Sequence, residues 1–222
     1  VWPGDLKFKD VNEDGKIDEN DKTQIGSPLP KFTFGWTNTF NYKNFDLSIF
    51  INGSVGNKVM NYTSIPLTAM SSTWGNQIQE KIADRAHLAP IDPAKVYADG
   101  GMWYNDVANV YVTNADTKTP RAAIGNSYNQ IISDRYIEDG SYVRLKNIAL
   151  GYTFPKSITK KLYLENLRVY CNLQNVLTIT GYDGYDPEIG ASTTDQHGYV
   201  FGLDNGRYPS PFTCTFGINL SF

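Results

Sequence analysis

Twelve residues near the start of the chain, "DVNEDGKIDEND" from Asp10 to Asp21, hold the densest group of potential ligands in the sequence. Side-chain oxygens stand at places one, three, five, nine and twelve, with glycine at six and isoleucine at eight. That spacing follows the loop in which hard oxygens surround a calcium ion and glycine permits a sharp turn. Asp10, Asn12, Asp14, the Lys16 carbonyl, Asp18 and Asp21 would be the ligands. Aspartate instead of glutamate at place twelve, and the lack of a strong helix pattern before it, depart from the paired helical sensors. The expectation is a structural Ca2+ that stiffens a loop; the alternative is an acidic turn held by Asx hydrogen bonds.

The other reactive residues are scattered. His87 and His197 have no metal-ligand spacing to each other or to a cysteine, and read as loop residues. No nucleophile elbow, phosphate-cradling glycine loop or zinc-protease motif occurs. Asp183, Asp186 and Glu188 cluster in "GYDGYDPEIG". Paired carboxylates can hydrolyse glycosides, but among three glycines and a proline the stronger expectation is turn chemistry. Cys171 and Cys214 fall on apolar positions of two strands and are expected to be buried, inert thiols. Trp74, Trp103, Tyr104, Tyr182, Tyr185 and Tyr199 lie in connections, where packing is the first expectation and stacking on sugar rings the second. No acid, base and nucleophile set emerges, so no enzymatic activity is expected.

What must position these residues is a set of long strands. The net charge of −3 argues against a nucleic-acid partner, and the six acids and one lysine of residues 10–21 make the acidity local. No apolar run reaches the ~18 residues of a spanning helix, yet a membrane strand needs only about ten with alternate apolar positions. Five segments alternate in that way. "KFTFGWTNTFNYK" puts Phe32, Phe34, Trp36, Phe40 and Tyr42 opposite Thr33, Gly35, Thr37, Thr39 and Asn41. "FDLSIFINGS" follows after two polar residues, which predicts a tight hairpin. "SYVRLKNIALGYTF" changes phase midway, and a bulge near Lys146 and Asn147 would restore it. "LRVYCNLQNVLTIT" and the final "PFTCTFGINLSF" complete the set.

Links between these strands alternate between short and long, as in outer-membrane barrels with short turns on one side and long loops on the other. The longest insertion carries "STWGNQIQEKIADRAHL", read as an amphipathic helix with Ile78, Ile82 and Leu88 on its apolar side. The fold class expected is all-β: an antiparallel, up-and-down transmembrane β-barrel segment with long loops. A soluble calcium-stiffened β-sandwich that binds glycans at the cell surface is the alternative.

Four stretches together carry a family resemblance. "PGDLKFKDVNEDGKIDENDKTQIGSPLPKFTFGW", "RYIEDGSYVRLKNIALGYTFPKS", "LRVYCNLQNVLTITGYDGYDPEIG" and "NGRYPSPFTCTFGINLSF" resemble, in this order, the C-terminal region of SusC/RagA-type TonB-dependent outer-membrane transporters of Bacteroidetes. The resemblance implies the last five strands of a barrel of about 22 strands. It also implies a SusD-like surface lipoprotein as partner, energy supplied through TonB, and import of oligosaccharides or peptides. Residues 1–30 would then be an extracellular loop with the calcium-like motif, 31–54 a hairpin and 55–134 a long extracellular loop. A second hairpin would occupy 135–180, an extracellular loop 181–210 and the terminal strand 211–222. Thr37, Asn41, Asp46, Ser48, Arg168, Asn172 and Gln174 would face the lumen, and the apolar set would face lipid.

Overall fold

The computed structural model describes residues 1–71, 75–95, 97–98, 102–103, 106–194 and 198–222; the side chains of 97–98, 102–103, 191–194 and 198–199 lie outside the description. In chain order the first strands are β1 (Phe32–Tyr42), β2 (Phe45–Val55), β3 (Lys58–Asn61), β4 (Leu88–Pro90), β5 (Tyr97–Ala98), β6 (Met102–Trp103) and β7 (Val110–Val112). They are followed by β8 (Ile137–Asp139), β9 (Tyr142–Thr153), β10 (Asn166–Thr180), β11 (Ala191–Thr194), β12 (Gly198–Phe201), β13 (Leu203–Asp204) and β14 (Thr213–Ser221). Among the described residues the short α-helices are α1 (Ser64–Ala69), α2 (Gln79–Asp84) and α3 (Lys156–Thr159). No helix among the described residues is long and apolar enough to cross a membrane.

The chain divides into two compact units, Val1–Ile25 with Tyr62–Tyr136, and Gly26–Asn61 with Ile137–Phe222. The second holds a five-stranded sheet in the order β1-β2-β9-β10-β14, antiparallel throughout. Register follows the side-chain pattern. Phe40, Leu47, Leu150, Cys171 and Phe216 fall in one row across all five strands. The expected bulge is present: pairing of β9 with β2 and with β10 skips Lys146, which returns Val143 and Leu145 to the apolar face with Ile148 and Leu150.

Three glycines in this sheet have an aromatic ring standing over them. Phe34 covers Gly53 and Phe50 covers Gly35, while Tyr170 covers Gly217, where a Cβ would meet the ring at 2.2 Å. A ring laid on the bare backbone supplies the contact that the missing side chain cannot.

Among the described residues no second layer covers the apolar face of the sheet. Phe32, Trp36, Phe40, Tyr42 and Phe45 are more than half exposed, and Phe216 is 78% exposed. The buried core of this unit sits instead at the end of the sheet away from the tight turns. There Val59, Tyr142 and Tyr182 pack with the polar Asn57, Arg144, Asp186 and Asp204. At that end β3 lies between β8 and the parallel β13, and β11 pairs with β12 in a hairpin.

In the first unit, Ile65, Ala69, Met70, Ala86, Val110 and Tyr136 are buried. Asp5 anchors the beginning of the chain: it accepts hydrogen bonds from Trp2 N (2.7 Å), Arg121 Nε (2.8 Å), Asn129 Nδ2 (3.0 Å) and Asn126 Nδ2 (3.2 Å). The expected helix over 72–88 is shorter than the pattern suggested, covering only Gln79–Asp84. Ile78 is extended and no side chain caps it, and Leu88 belongs to β4, paired with Val112 of β7. Residues 72–74, Trp74 among them, lie outside the described residues. Helix α1 was not foreseen; Pro66 reads as a breaker but sits in the first turn, where proline is tolerated.

Candidate functional site

The face opposite the exposed apolar one is a polar wall. Thr37, Asn41, Asp46, Ser48, Arg168, Asn172 and Gln174 all lie on it by register. Arg168 on β10 reaches across β9 to Asp46 on β2, donating from Nη2 (2.5 Å) and Nε (3.1 Å). The pair crosses directly above Gly151, where a Cβ would sit 2.2 Å from the guanidinium and 2.5 Å from the carboxylate. Glycine is therefore what lets a charge bridge span three strands. Nearby, Asn147 Nδ2 donates to Asn172 Oδ1 at 2.7 Å.

At the far end of the wall the acids of "GYDGYDPEIG" find partners. Arg144 on β9 donates from Nε to Thr178 (2.9 Å), from Nη1 to Glu188 (2.7 Å) and from Nη2 to Asp186. Lys146, at the bulge, donates to both Glu188 oxygens at 2.8 and 2.7 Å. Arg144 and Asp186 side chains are 3% and 5% exposed, so two opposite charges are buried together. Burial pushes the Asp186 carboxyl up, but N–H donors of Ser210 and Glu188 and the Arg144 guanidinium outweigh it and hold it at about 2. An acid fixed in its ionised form cannot serve as a proton donor for glycoside cleavage. These acids are thus more than turn formers: Asp186 and Glu188 clamp their segment to β9, while Asp183 stays exposed and donates its N–H to Glu138 at 2.9 Å.

Tyr182, expected as loop packing, is buried and donates its hydroxyl to Asp204 at 2.6 Å. Burial and the adjacent carboxylate both push its hydroxyl pKa up. Tyr185 is 70% exposed. Tyr104 and the side chains of Trp103 and Tyr199 lie outside the described residues, as does His197. His87 is an exposed loop residue, as expected.

The two cysteines require a correction. Their sulfurs are 4.0 Å apart on the apolar face, but Cys214 is exposed and Cys171 only half-buried. The expectation of burial assumed that an apolar face must be covered by protein.

The acidic loop folds on its own backbone. Asp10 accepts from Glu13 N (2.7 Å) and Gly15 N (2.8 Å), Asn12 from Asp14 N (3.1 Å), and Asp14 from Lys16 N (2.9 Å). Asp18 accepts from Asn20 N, and Asp21 accepts from Val11 N and Asp18 N, each at 2.8 Å. The Asp18 and Val11 N–H donors hold the Asp21 carboxyl below the usual range. Gly15 adopts a φ of 83°, the left-handed conformation the turn demands. The loop offers oxygen donors alone, as a hard cation requires. Among the described residues no three acidic, histidine or cysteine side chains converge as a metal cluster.

Against known proteins, the chain is 36% identical over 99% of its length to TonB-dependent receptor P3 of Formosa agariphila, covering 19% of that protein. It is 30% identical, again over 99% of its length, to TonB-dependent receptor P26 of the same organism, covering 20% of it. With TonB-dependent receptor SusC of Bacteroides thetaiotaomicron it shares 28% identity, covering 18% of that protein.

Over nearly its whole length the chain is similar to a segment of TonB-dependent receptors.

It spans about a fifth of the length of these relatives. The SusC likeness expected from the four sequence stretches is thereby borne out. Among solved structures, the RagAB peptide importer in its open-open state matches with a TM-score of 0.67, at 20% identity over 99% of this chain and 21% of that one. The RagAB peptide transporter matches at 0.62, at 21% identity over 94% of this chain and 20% of that one. Both show that this chain shares the fold of a segment of those proteins. No family model matches the chain.

Proposed function

We propose that this chain is the closing part of a TonB-dependent transporter that imports oligosaccharides or peptides across the outer membrane, without catalysis of its own. The observation that carries the reading is the uncovered apolar face of the five-stranded sheet, backed by a polar wall on the other side. In water such a face would need a covering layer, as a sandwich supplies. In hydrocarbon it is the required surface, and Thr37, Asn41, Asp46, Ser48, Arg168, Asn172 and Gln174 then face a water-filled lumen. Strand length agrees: the ten steps from Phe32 to Tyr42 span roughly 33 Å along the strand, or about 25 Å across the bilayer at a tilt near 40°.

Strands β1 and β14 are the sheet's two edges. An open edge in hydrocarbon leaves backbone groups unpaired at several kcal/mol each, so both edges continue into further strands of a closed barrel of about 22. The tight turn at 43–44 and the connection 155–165 face the periplasm, while residues 1–30, 55–134 and 181–210 face outside. A SusD-like surface lipoprotein covers that outer side, and TonB energises transport through parts of the receptor beyond this chain. Peptides are one cargo class to test, because the similar RagAB structures are described as a peptide transporter and importer.

The deciding experiment is growth and uptake by the source bacterium lacking the full receptor, given oligosaccharides and peptides in turn as nutrients. Loss of uptake of one class, restored by the intact gene, is expected; unchanged uptake of every class overturns the import reading. For residues 10–21 we propose a structural Ca2+ held by Asp10, Asn12, Asp14, the Lys16 carbonyl, Asp18 and Asp21. Calorimetric titration of the full receptor with calcium should give binding heat that disappears in the Asp10→Ala, Asp14→Ala variant. Identical heats in both proteins refute the site.

A further inference from the structure

The tight-turn end of the sheet carries basic side chains that the import reading leaves unused. Lys43 lies between β1 and β2, and Lys156, Lys160 and Lys161 lie between β9 and β10. Register puts both connections at one end, since Phe45 pairs with Tyr152 and Thr153 N donates to Asn44 O at 2.8 Å. All four lysines are exposed, and none has a salt bridge among the described residues. Glu165 is the one acid between residues 155 and 166.

Two further features point to a lipid surface as the partner. Immediately inside the lysines, Tyr42, Phe45 and Tyr152 on the strands and Phe154 just after β9 form an aromatic group, with ring centroids of Phe45 and Tyr152 at 4.6 Å and of Tyr152 and Phe154 at 5.0 Å. Such rings settle at the boundary between hydrocarbon and headgroups. Beside the lysines, Ile158, Leu162 and Tyr163 are 44%, 55% and 92% exposed. The turn is also ordered: Thr159 is buried, and Leu164 N donates to Thr159 O at 3.0 Å. Ammonium groups without a carboxylate partner among the described residues, that of Lys43 lying 5.3 Å from the Tyr42 ring centroid, stand next to apolar side chains that water does not favour and complement an anionic lipid.

We propose that this end of the sheet binds anionic phospholipid of the adjoining leaflet, such as phosphatidylglycerol, through Lys43, Lys156, Lys160 and Lys161, with Ile158, Leu162 and Tyr163 entering the headgroup layer. The inference rests on the outer-membrane barrel reading. Each basic side chain near an anionic surface gives roughly a fivefold gain in affinity, so a group of them selects strongly between headgroups of different charge.

The test uses the full receptor in nanodiscs of equimolar phosphatidylcholine and phosphatidylglycerol, released into the gas phase to weigh the lipids that stay bound. The intact receptor should retain phosphatidylglycerol over phosphatidylcholine by roughly tenfold, and high salt should erase the preference. The Lys43→Gln, Lys156→Gln, Lys160→Gln, Lys161→Gln variant should bring the ratio close to one, while the matching Lys→Arg variant keeps it. Equal retention of both lipids by the intact receptor overturns the proposal, even where the Gln variant does not assemble. An unchanged ratio in an assembled Gln variant overturns it too, as does displacement of the bound phosphatidylglycerol by lipopolysaccharide or inorganic phosphate. Failure of the intact receptor to enter bilayers at all would instead remove the barrel reading beneath it.

Discussion

Arg144 is the residue on which the outer end of the polar wall depends. Truncating it leaves Asp186 buried without its counter-charge, so Arg144→Ala should destabilise this region by about 3 to 5 kcal/mol. Hydrogen exchange of residues 181–190 in the full receptor would read the loss. Removing Asp186 as well should cost less than the sum of the single changes, because the two act as a unit. Acid probes the same contact. The folded pKa of Asp186 is depressed to about 2 from 3.8, so its contribution of roughly 2 kcal/mol is complete above about pH 4 and disappears as the pH falls through 2. Exchange protection of this segment that stays flat from pH 5 to pH 2 would contradict the assignment.

Glycines make a second test at this scale. At Gly53 an added Cβ would lie 2.6 Å from the Tyr142 carbonyl, a backbone atom held in a ladder, whereas at Gly151 it meets the movable ends of Arg168 and Asp46. Gly53→Ala should therefore lower the amount of assembled receptor far more than Gly151→Ala, which should chiefly break the ion pair. The acids of "GYDGYDPEIG" were legible as a cluster, but their partner was not. Arg144 lies about forty residues earlier, and only the register of β9 against β10 brings the two together.

At the scale of elements, alternation was enough to read the five long strands and even the bulge at Lys146, because a period of two survives wherever one face is apolar. Helices were harder to read. Residues 72–88 had helical spacing but no cap, and tertiary pairing drew Leu88 into β4. Cys171 and Cys214 show the same limit: alternation assigns a residue to the apolar side of a strand without saying whether protein or lipid lies there. That distinction can be measured. Phe216→Lys, on the apolar face of β14, should cost about 2 to 4 kcal/mol near the bilayer centre and reduce the heat-modifiable, folded form of the full receptor on gels. Thr215→Lys, one residue away on the polar wall, should leave that form intact. Equal effects from both would argue that water or protein bathes the two faces alike.

For the whole molecule, the sheet's two edges and its uncovered face make the chain a poor candidate for independent life in water. Expressed alone it should aggregate or require detergent, and a soluble, cooperatively melting monomer of 24.9 kDa would count against the membrane reading. The acidic loop was legible as a ligand pattern in the sequence, whereas the anchoring of the first residues through Asp5 was not. Its partners Arg121, Asn126 and Asn129 stand more than a hundred positions away with no motif to announce them.

The clamp formed by Asp186 and Glu188 has a mechanical consequence. A segment bolted to β9 at Arg144 and Lys146 must travel with the wall and cannot swing independently of it. Further along the connection between β10 and β14 the chain is tied down again, where Met60 N donates to Gly202 O and Tyr182 donates to Asp204. The "YDPE" acids are therefore a fixed frame against the wall, not a swinging arm.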